Sequence, residues 1–208
     1  MKSFAEIAFT PAVQALQQEH GSRATYARMQ AEGALGEGLG VQEIELLTRA
    51  DSFCLATVSE TGWPYVQHRG GPRGFVKVLT PTRIAFADFR GNRQYVSAGN
   101  ASRDDRVSMI VIDYPNQRRL KLFGRVRFED VARAGRELVL AVELPDYRAR
   151  VERVVVIEVE AFDWNCPQHI KPRYTLEEIE DASKPLRERI AYLEAELQVL
   201  RASSATAL

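Results

Sequence analysis

RIAFADFRGNRQYVSAGNASRDDRVSMIVIDY, residues 83–114, opens with alternating apolar residues, Ile84 and Phe86, as the end of a half-buried strand does. Asp88-Phe89-Arg90-Gly91 breaks that period. From Asn92 the run Asn-Arg-Gln-Tyr-Val-Ser-Ala is expected to make two helical turns, stopped by Gly99-Asn100 as a left-handed C-cap. A second apolar run, residues 107–112, reads as a buried strand. The unit is therefore strand, tight turn, short helix, strand. Chemistry is expected at the turn. A helix start leaves backbone N–H groups without partners and carries partial positive charge. Gly91 lets backbone approach a ligand, and Arg90, Asn92 and Arg93 add donors, which suits a phosphate. The same residues also read as an ordinary polar turn with solvated arginines, and the local pattern is too loose to choose.

The whole chain bounds the answer. Its 208 residues are 45% hydrophobic and 27% charged, the balance of one soluble globular domain, or one plus an appended element. Lysine plus arginine number 28 and aspartate plus glutamate 28, so the formal net charge is zero. A protein whose main partner is nucleic acid carries a basic surplus, so that class is not expected. No apolar run reaches the roughly 18 residues of a membrane span, and no basic-then-apolar leader is visible. No membrane partner and a cytoplasmic location are therefore expected. Cys54 and Cys166 make neither a disulfide framework nor a zinc site. Cys54, inside Phe53-Cys-Leu-Ala-Thr-Val, reads as a small buried hydrophobe, and no metal is expected.

Residues 1–50 read as a helical N-terminal extension packed on the rest. Thr10 caps a helix opened by Pro11, with Ala12, Val13 and Leu16 turned inward. Ser22 caps a second helix over 23–32, residues 34–40 form a glycine-rich loop, and 42–50 make a third helix. Arg23 and Tyr26 stand one turn apart, either reaching a site or lying on the surface. From Ser52 the period becomes two. Strands are expected at 53–58, 63–69, 75–79, 83–87, 107–112, 118–129 and 151–162, with a helix at 131–142. Pro64 marks its strand as an edge or a strand start. His68, Arg69 and Arg73 bracket Gly70-Gly-Pro-Arg-Gly74, whose glycines either admit a close neighbour or only serve the loop's own geometry. In 118–129, Leu120, Leu122, Gly124, Val126 and Phe128 share one face, and the other carries Arg119, Lys121, Arg125 and Arg127, facing water or an anion. Gly124 in mid-strand predicts a bulge or a near neighbour. Beyond 162, Trp164, Cys166 and His169 crowd a proline-flanked loop, read as rigid, with a catalytic Cys–His pair as the other reading. Leu186, Ile190, Leu193, Leu197 and Leu200 recur at coiled-coil spacing. A C-terminal amphipathic helix is expected over 174–202, then a disordered tail over 203–208.

Short strands with regular turns point to a barrel. The strings Gly62-Trp-Pro-Tyr-Val-Gln-His-Arg-Gly-Gly-Pro-Arg-Gly-Phe75, Ala87-Asp-Phe-Arg-Gly-Asn-Arg-Gln-Tyr95 with Gly99-Asn100, Asp113-Tyr-Pro, Arg119-Leu-Lys and Trp164-Asn-Cys-Pro-Gln-His169 resemble the pyridoxamine 5′-phosphate oxidase-related family of flavin-binding proteins. The nearest likeness is to its predicted flavin-nucleotide-binding branch. The resemblance runs over roughly residues 10–175. It implies a mainly β fold with flanking helices, a six- to seven-stranded antiparallel split β-barrel over 51–173, and a homodimer with FMN at the subunit interface. In the oxidases a strand arginine and a later Arg-Lys pair hold the flavin phosphate. The pair falls on Asn92-Arg93, so half of that grip is missing, and His68 or Arg69 matches the strand arginine. Phe86 and Ala87 would lie along the flavin ring, Arg119 would face it, and Trp164 would reach the other subunit's site. The family's arginine-and-histidine grip on the vitamin phosphate has no counterpart in Gln168-His-Ile-Lys-Pro-Arg173, so the resemblance stops short of the pyridoxamine substrate.

The residues agree on one point. Arg69, Arg73, Arg90, Arg93 and Arg119 or Lys121 come from four separate segments that a barrel could gather around one phosphate. The function these features imply is a flavin-dependent oxidoreductase of unknown small-molecule substrate, with His68 and His169 as proton-donor candidates. The alternatives are a non-catalytic flavin carrier or sensor signalling through the C-terminal helix, and a haem-binding split barrel with His169 or His20 as ligand.

Overall fold

The computed structural model describes residues 1–33, 36–144, 146–165 and 168–205. Its centre is one sheet of seven antiparallel strands: β1 (Ser52–Val58), β2 (Pro64–Gly70), β3 (Lys77–Thr80), β4 (Arg83–Phe89), β5 (Arg106–Asp113), β6 (Arg118–Asp130) and β7 (Val151–Asn165). Their order is β2-β1-β5-β6-β7-β4-β3. The sheet curls until its two ends meet. Phe53 of β1 stands edge-on to Phe86 of β4 with ring centroids 5.1 Å apart, and stacks on Phe75 at 5.6 Å, although β5, β6 and β7 separate β1 from β4 in the sheet. This is the expected split barrel. Every predicted strand is present; the third begins later, because Phe75 and Val76 leave the ladder and plug the core.

Alternation explains most of the interior. Phe53 and Leu55, Met109 and Val111, Leu120 and Leu122, Val155 and Ile157 point inward from successive strands and share one cluster with Leu46 and Leu47 of α4 (Val41–Arg49). β4 and β7 are apolar on both faces, as strands covered on both sides must be. Their outer face carries Ala85, Ala87, Val154 and Val156 beneath Val142 of the helix at Arg136–Val142. On β6 the cationic outer face meets carboxylates: Lys121 pairs with Asp163 at 2.9 Å, Arg125 with Glu160 at 2.7 Å and Arg127 with Glu158 at 3.2 Å. Gly124 sits at the expected bulge. Phe123 pairs with Ala161 but Gly124 with Val159, so β7 carries one extra residue there. A Cβ on Gly124 would fall 2.5 Å from the Glu158 carbonyl oxygen.

The curl is pinned by charge. Asp88, at the end of β4 and 3% exposed, accepts from Arg69 Nη1 on edge strand β2 and from Nε and Nη2 of Arg153 on β7, the last two at 2.9 and 2.6 Å. One carboxylate thus ties three strands, including two that share no ladder.

The helices depart from expectation in several places. α1 (Phe4–Ala8) was not foreseen; a capping box between Ser3 and Glu6 starts it, and Phe4 stacks on Phe123 at 4.9 Å. In α2 (Pro11–Glu19) Thr10 caps as expected, but Leu16 is exposed and Gln17 is the buried residue, because its amide oxygen takes Arg23 Nη1 of α3 (Arg23–Glu32) at 3.0 Å. α5 spans Val96–Ala101, four residues later than predicted, and contains Gly99 and Asn100 rather than ending at them. Asn100 serves as an anchor instead of a cap: its amide donates to the buried Thr57 hydroxyl of β1 at 2.9 Å. α6 covers only Arg136–Val142, entered through Gly135 at φ 75°.

Contact clustering divides the chain into two compact units, the first comprising residues 1–113 and 117–169, the second residues 114–116 and 170–208. The second holds α7 (Leu176–Ala205) and a cation–π contact of Arg173 over Tyr114, 4.8 Å from the ring centre. The expected tail from Ser203 is helical through Ala205, since no glycine or proline stops the helix there; residues 206–208 lie outside the described residues. Among the described residues no helix is long and apolar enough to cross a membrane.

Two substitutions test this architecture by denaturant unfolding. Asp88→Ala leaves Arg69 and Arg153 without their shared carboxylate, and is expected to cost about 3–5 kcal/mol. Gly124→Ala drives a methyl into the β7 backbone and is expected to cost about 1–3 kcal/mol. Wild-type stability in either variant would contradict the corresponding account.

Candidate functional site

The split in the barrel opens a cleft of about 200 Å³. One wall comes from β2. Its register sets Tyr65, Gln67 and Arg69 opposite the inward residues Thr57, Leu55 and Phe53 of β1. The second wall is Asp88 with Glu152 and Arg153 of β7, and the third is the segment from Gly91 to Ser97. Arg69 and Arg153 flank the Phe128 ring at 6.0 and 5.6 Å, and Arg153 also lies over Tyr95 at 4.7 Å. Aromatic faces thus hold two guanidiniums beside the carboxylate that orients them.

The expected helix start at Asn92 is instead a shaped loop. Asn92 Oδ1 accepts from the Gln94 amide at 3.1 Å, the local bond by which asparagine sets a turn. Arg93 and Tyr95 then take left-handed backbone angles, φ 61° and 55°. Two such non-glycine residues cost on the order of 1–3 kcal/mol each, a strain that concentrates at functional sites. The strain is held by tertiary bonds. Arg93 Nε donates to Tyr95 Oη at 3.2 Å, Tyr95 Oη to Glu152 Oε2 at 3.4 Å, and Ser97 Oγ to Gln67 Oε1 at 3.0 Å. The hydrogen bond that Arg93 donates to Tyr95, with the charges of Tyr95 and Glu152 behind it, raises the pKa of the Arg93 guanidinium above its ordinary value.

Of the residues singled out in the sequence, the cleft collects Arg69, Asn92 and Arg93. Strand register separates Arg69 from its neighbour: His68 points to the outer face, exposed, opposite the half-buried Cys54. The Phe86 side chain is in the barrel core and Ala87 lies in the apolar layer under α6. Trp164 donates its indole N–H to Glu43 Oε1 at 2.5 Å, fastening α4 to β7. Arg119 lies on the outer face of β6 with its Nε buried and without a hydrogen-bond partner among the described residues. Arg23 bonds Gln17 and Gln30, and Tyr26 packs on Phe9, both away from the cleft. Cys166 lies outside the described residues. Gln67, Asp88, Gln94, Tyr95, Glu152 and Arg153 also line the cleft and were not expected there. Period-two extension from Arg69 finds Gln67, whereas nothing local marks Asp88 or Arg153.

The donor set fits a phosphate. Arg69 Nε is buried with no hydrogen-bond partner among the described residues, although its Nη1 is held by Asp88. Arg69, Arg93 and Arg153 set three positive charges against those of Asp88 and Glu152, and nothing lies within 4 Å of where a Cβ on Gly91 would stand. The cleft volume, about 200 Å³, is below the roughly 300–1,000 Å³ of complete small-molecule sites. It has room for the phosphate end of a nucleotide and not for a three-ring flavin.

No curated protein matches the chain. Among solved structures, HupZ of Group A Streptococcus superposes with a TM-score of 0.47 at 16% identity, over 65% of this chain and 100% of that one. An FMN-binding protein from Syntrophomonas wolfei subsp. wolfei superposes with a TM-score of 0.41 at 13% identity, over 61% and 90% of the two chains. HutZ, the haem-storage protein of Vibrio cholerae, gives 0.41 at 15% identity, over 61% and 94%. The sequence itself decides the family: residues 42–165 match the model described as pyridoxamine 5′-phosphate oxidase, and the chain, with its seven-stranded antiparallel barrel, belongs to that family.

Proposed function

We propose that the cleft holds the phosphate of FMN and that the protein is a flavin-dependent oxidoreductase acting as a homodimer. The observation that carries this reading is the Nε of Arg69, buried and without a partner among the described residues, in the cleft that Asn92 and Arg93 also line. A phosphate there receives charge-assisted hydrogen bonds from Arg69 and Arg93. Asp88 holds Arg69 and Arg153 in place, and Tyr95 with Glu152 holds Arg93. The two carboxylates also lower the positive potential, leaving the grip weaker than three bare arginines would make it.

In this reading the flavin ring lies outside the small cleft, where a second surface covers it. A second copy of the chain supplies that surface in this reading, with Arg119 on the outer face of β6 assigned to it, while Trp164 is engaged by Glu43 of its own chain. The outward side of β1, β2 and β5 adds the exposed Val66 and half-buried Ala56, Ile110 and Ile112, an apolar face suited to association. When bound, FMN supplies the hydride or electron transfer. The chain's own residues then need only bind, orient and exclude water, in keeping with a cleft that holds no Ser-His-Asp or paired acid–base constellation.

The test is the visible absorbance of the purified protein and its titration with FMN. Flavin binding is expected, and Arg93→Ala is expected to weaken it by about 1.5–3 kcal/mol, roughly ten- to a hundred-fold in Kd. A protein that arrives colourless, takes up no added FMN and shifts the Soret band of added haemin would overturn the flavin reading in favour of haem.

In the flavin-bound protein, hydride transfer from a reduced substrate is expected to bleach the flavin under anaerobic conditions, and His68→Ala is expected to leave that bleaching intact because His68 faces away from the cleft. A bleaching rate that collapses in His68→Ala would place the flavin on the outer face of β2 instead.

A further inference from the structure

α7 is a continuous helix over Leu176–Ala205, and the flavin reading makes no use of it. Its apolar residues stand in water: Leu186 is 67% exposed, Ile190 55%, Leu193 40% and Leu197 50%. They lie along one seam. Spacings of four, three and four residues make Leu186 and Leu193 the d positions and Ile190 and Leu197 the a positions of a heptad. A seam of this kind on a soluble helix needs an apolar partner.

The flanking charges identify the partner. The g positions are Arg189 and Glu196, and the e positions Glu194 and Arg201. In a parallel pair of identical helices, each g residue faces the e residue five positions later on the other chain. Arg189 then meets Glu194 and Glu196 meets Arg201, and symmetry makes each pairing twice. Tyr192 steadies both g side chains on their own helix: Glu196 accepts from its hydroxyl at 2.9 Å, and the Arg189 guanidinium lies over its ring at 5.2 Å. Ile190 meeting its own copy at a, with leucines at d, is the combination that favours two strands. Pro185 stands at an outward c position and does not interrupt the seam.

We propose that α7 is a self-recognition element that forms a parallel, two-stranded coiled coil with α7 of a second copy of this chain. The paired stretch spans little more than two heptads, which is marginal for an isolated peptide, so the test uses the full chain.

The experiment is disulfide trapping in a Cys54→Ala, Cys166→Ser background, with copper phenanthroline and air as the oxidant that takes up the two electrons and two protons. Leu193→Cys and Leu186→Cys, each at a d position, are expected to give covalent dimers, and Glu188→Cys, at an outward f position, only background. Adding Glu194→Arg to Leu193→Cys sets it against Arg189 and is expected to abolish the crosslink; adding Arg189→Glu as well is expected to restore it. An absent crosslink at both leucine positions, equal trapping at Glu188→Cys, or trapping of Leu193→Cys against Ile190→Cys with no rescue by Arg189→Glu would each overturn the parallel pairing. The substituted positions of α7 are solvent-exposed, so they leave the fold of the cysteine-free background unchanged, and flavin absorbance, read on the same samples, separates failure here from failure of the cofactor reading.

Discussion

A single buried carboxylate organises this barrel. Asp88 is 3% exposed and accepts from guanidiniums on two other strands, Arg69 on β2 and Arg153 on β7. The strand order alone leaves β2 as an edge with unpaired backbone groups. Curling the sheet brings that edge over β4, and the shared carboxylate holds it there. The arginines are 16% and 17% exposed, so each charge is largely removed from water and depends on the others for compensation. The same triad lines the cleft, so the interaction that closes the barrel also orients the guanidiniums there.

The loop from Gly91 to Tyr95 shows how local strain and tertiary contacts combine. Left-handed angles at Arg93 and Tyr95 are unfavourable by themselves. They persist because Tyr95 bridges Arg93 and Glu152, and because α5, just after the loop, is docked by Ser97 on Gln67 and by Asn100 on Thr57. A candidate anion surface built in this way relies on side chains from β2 and β7 as much as on its own backbone. That differs from a helix N-terminus, where the backbone supplies most of the donors.

Two faces are proposed for copies of the chain to meet: the outer sheet face beside the cleft and the seam of α7. They differ in physical character. The sheet face is irregular and apolar, whereas the seam is periodic and flanked by charges that prefer one orientation.

Periodicity determined most of the fold. Alternating or continuously apolar runs located all seven strands, and alternation named the inward residues of β6, because a period of two translates directly into which face is buried; a glycine in mid-strand marked the bulge at Gly124. Heptad spacing likewise marked the exposed stripe of α7, and the strings around Gly62–Phe75 and Ala87–Tyr95 pointed to the family before any coordinates. Tertiary structure decided the site. His68 and Arg69 are adjacent in sequence and equally basic in appearance, yet the β1–β2 register turns only Arg69 into the cleft. Phe86 belongs to the core and Trp164 to α4, since ring packing and the bond to Glu43 claim those side chains. Asp88 belongs to the stretch that breaks the strand period, and Arg153 carries no local signal of a role in the site. Their partnership spans 65 residues of chain, and a contact at that separation exists only once the sheet has curled.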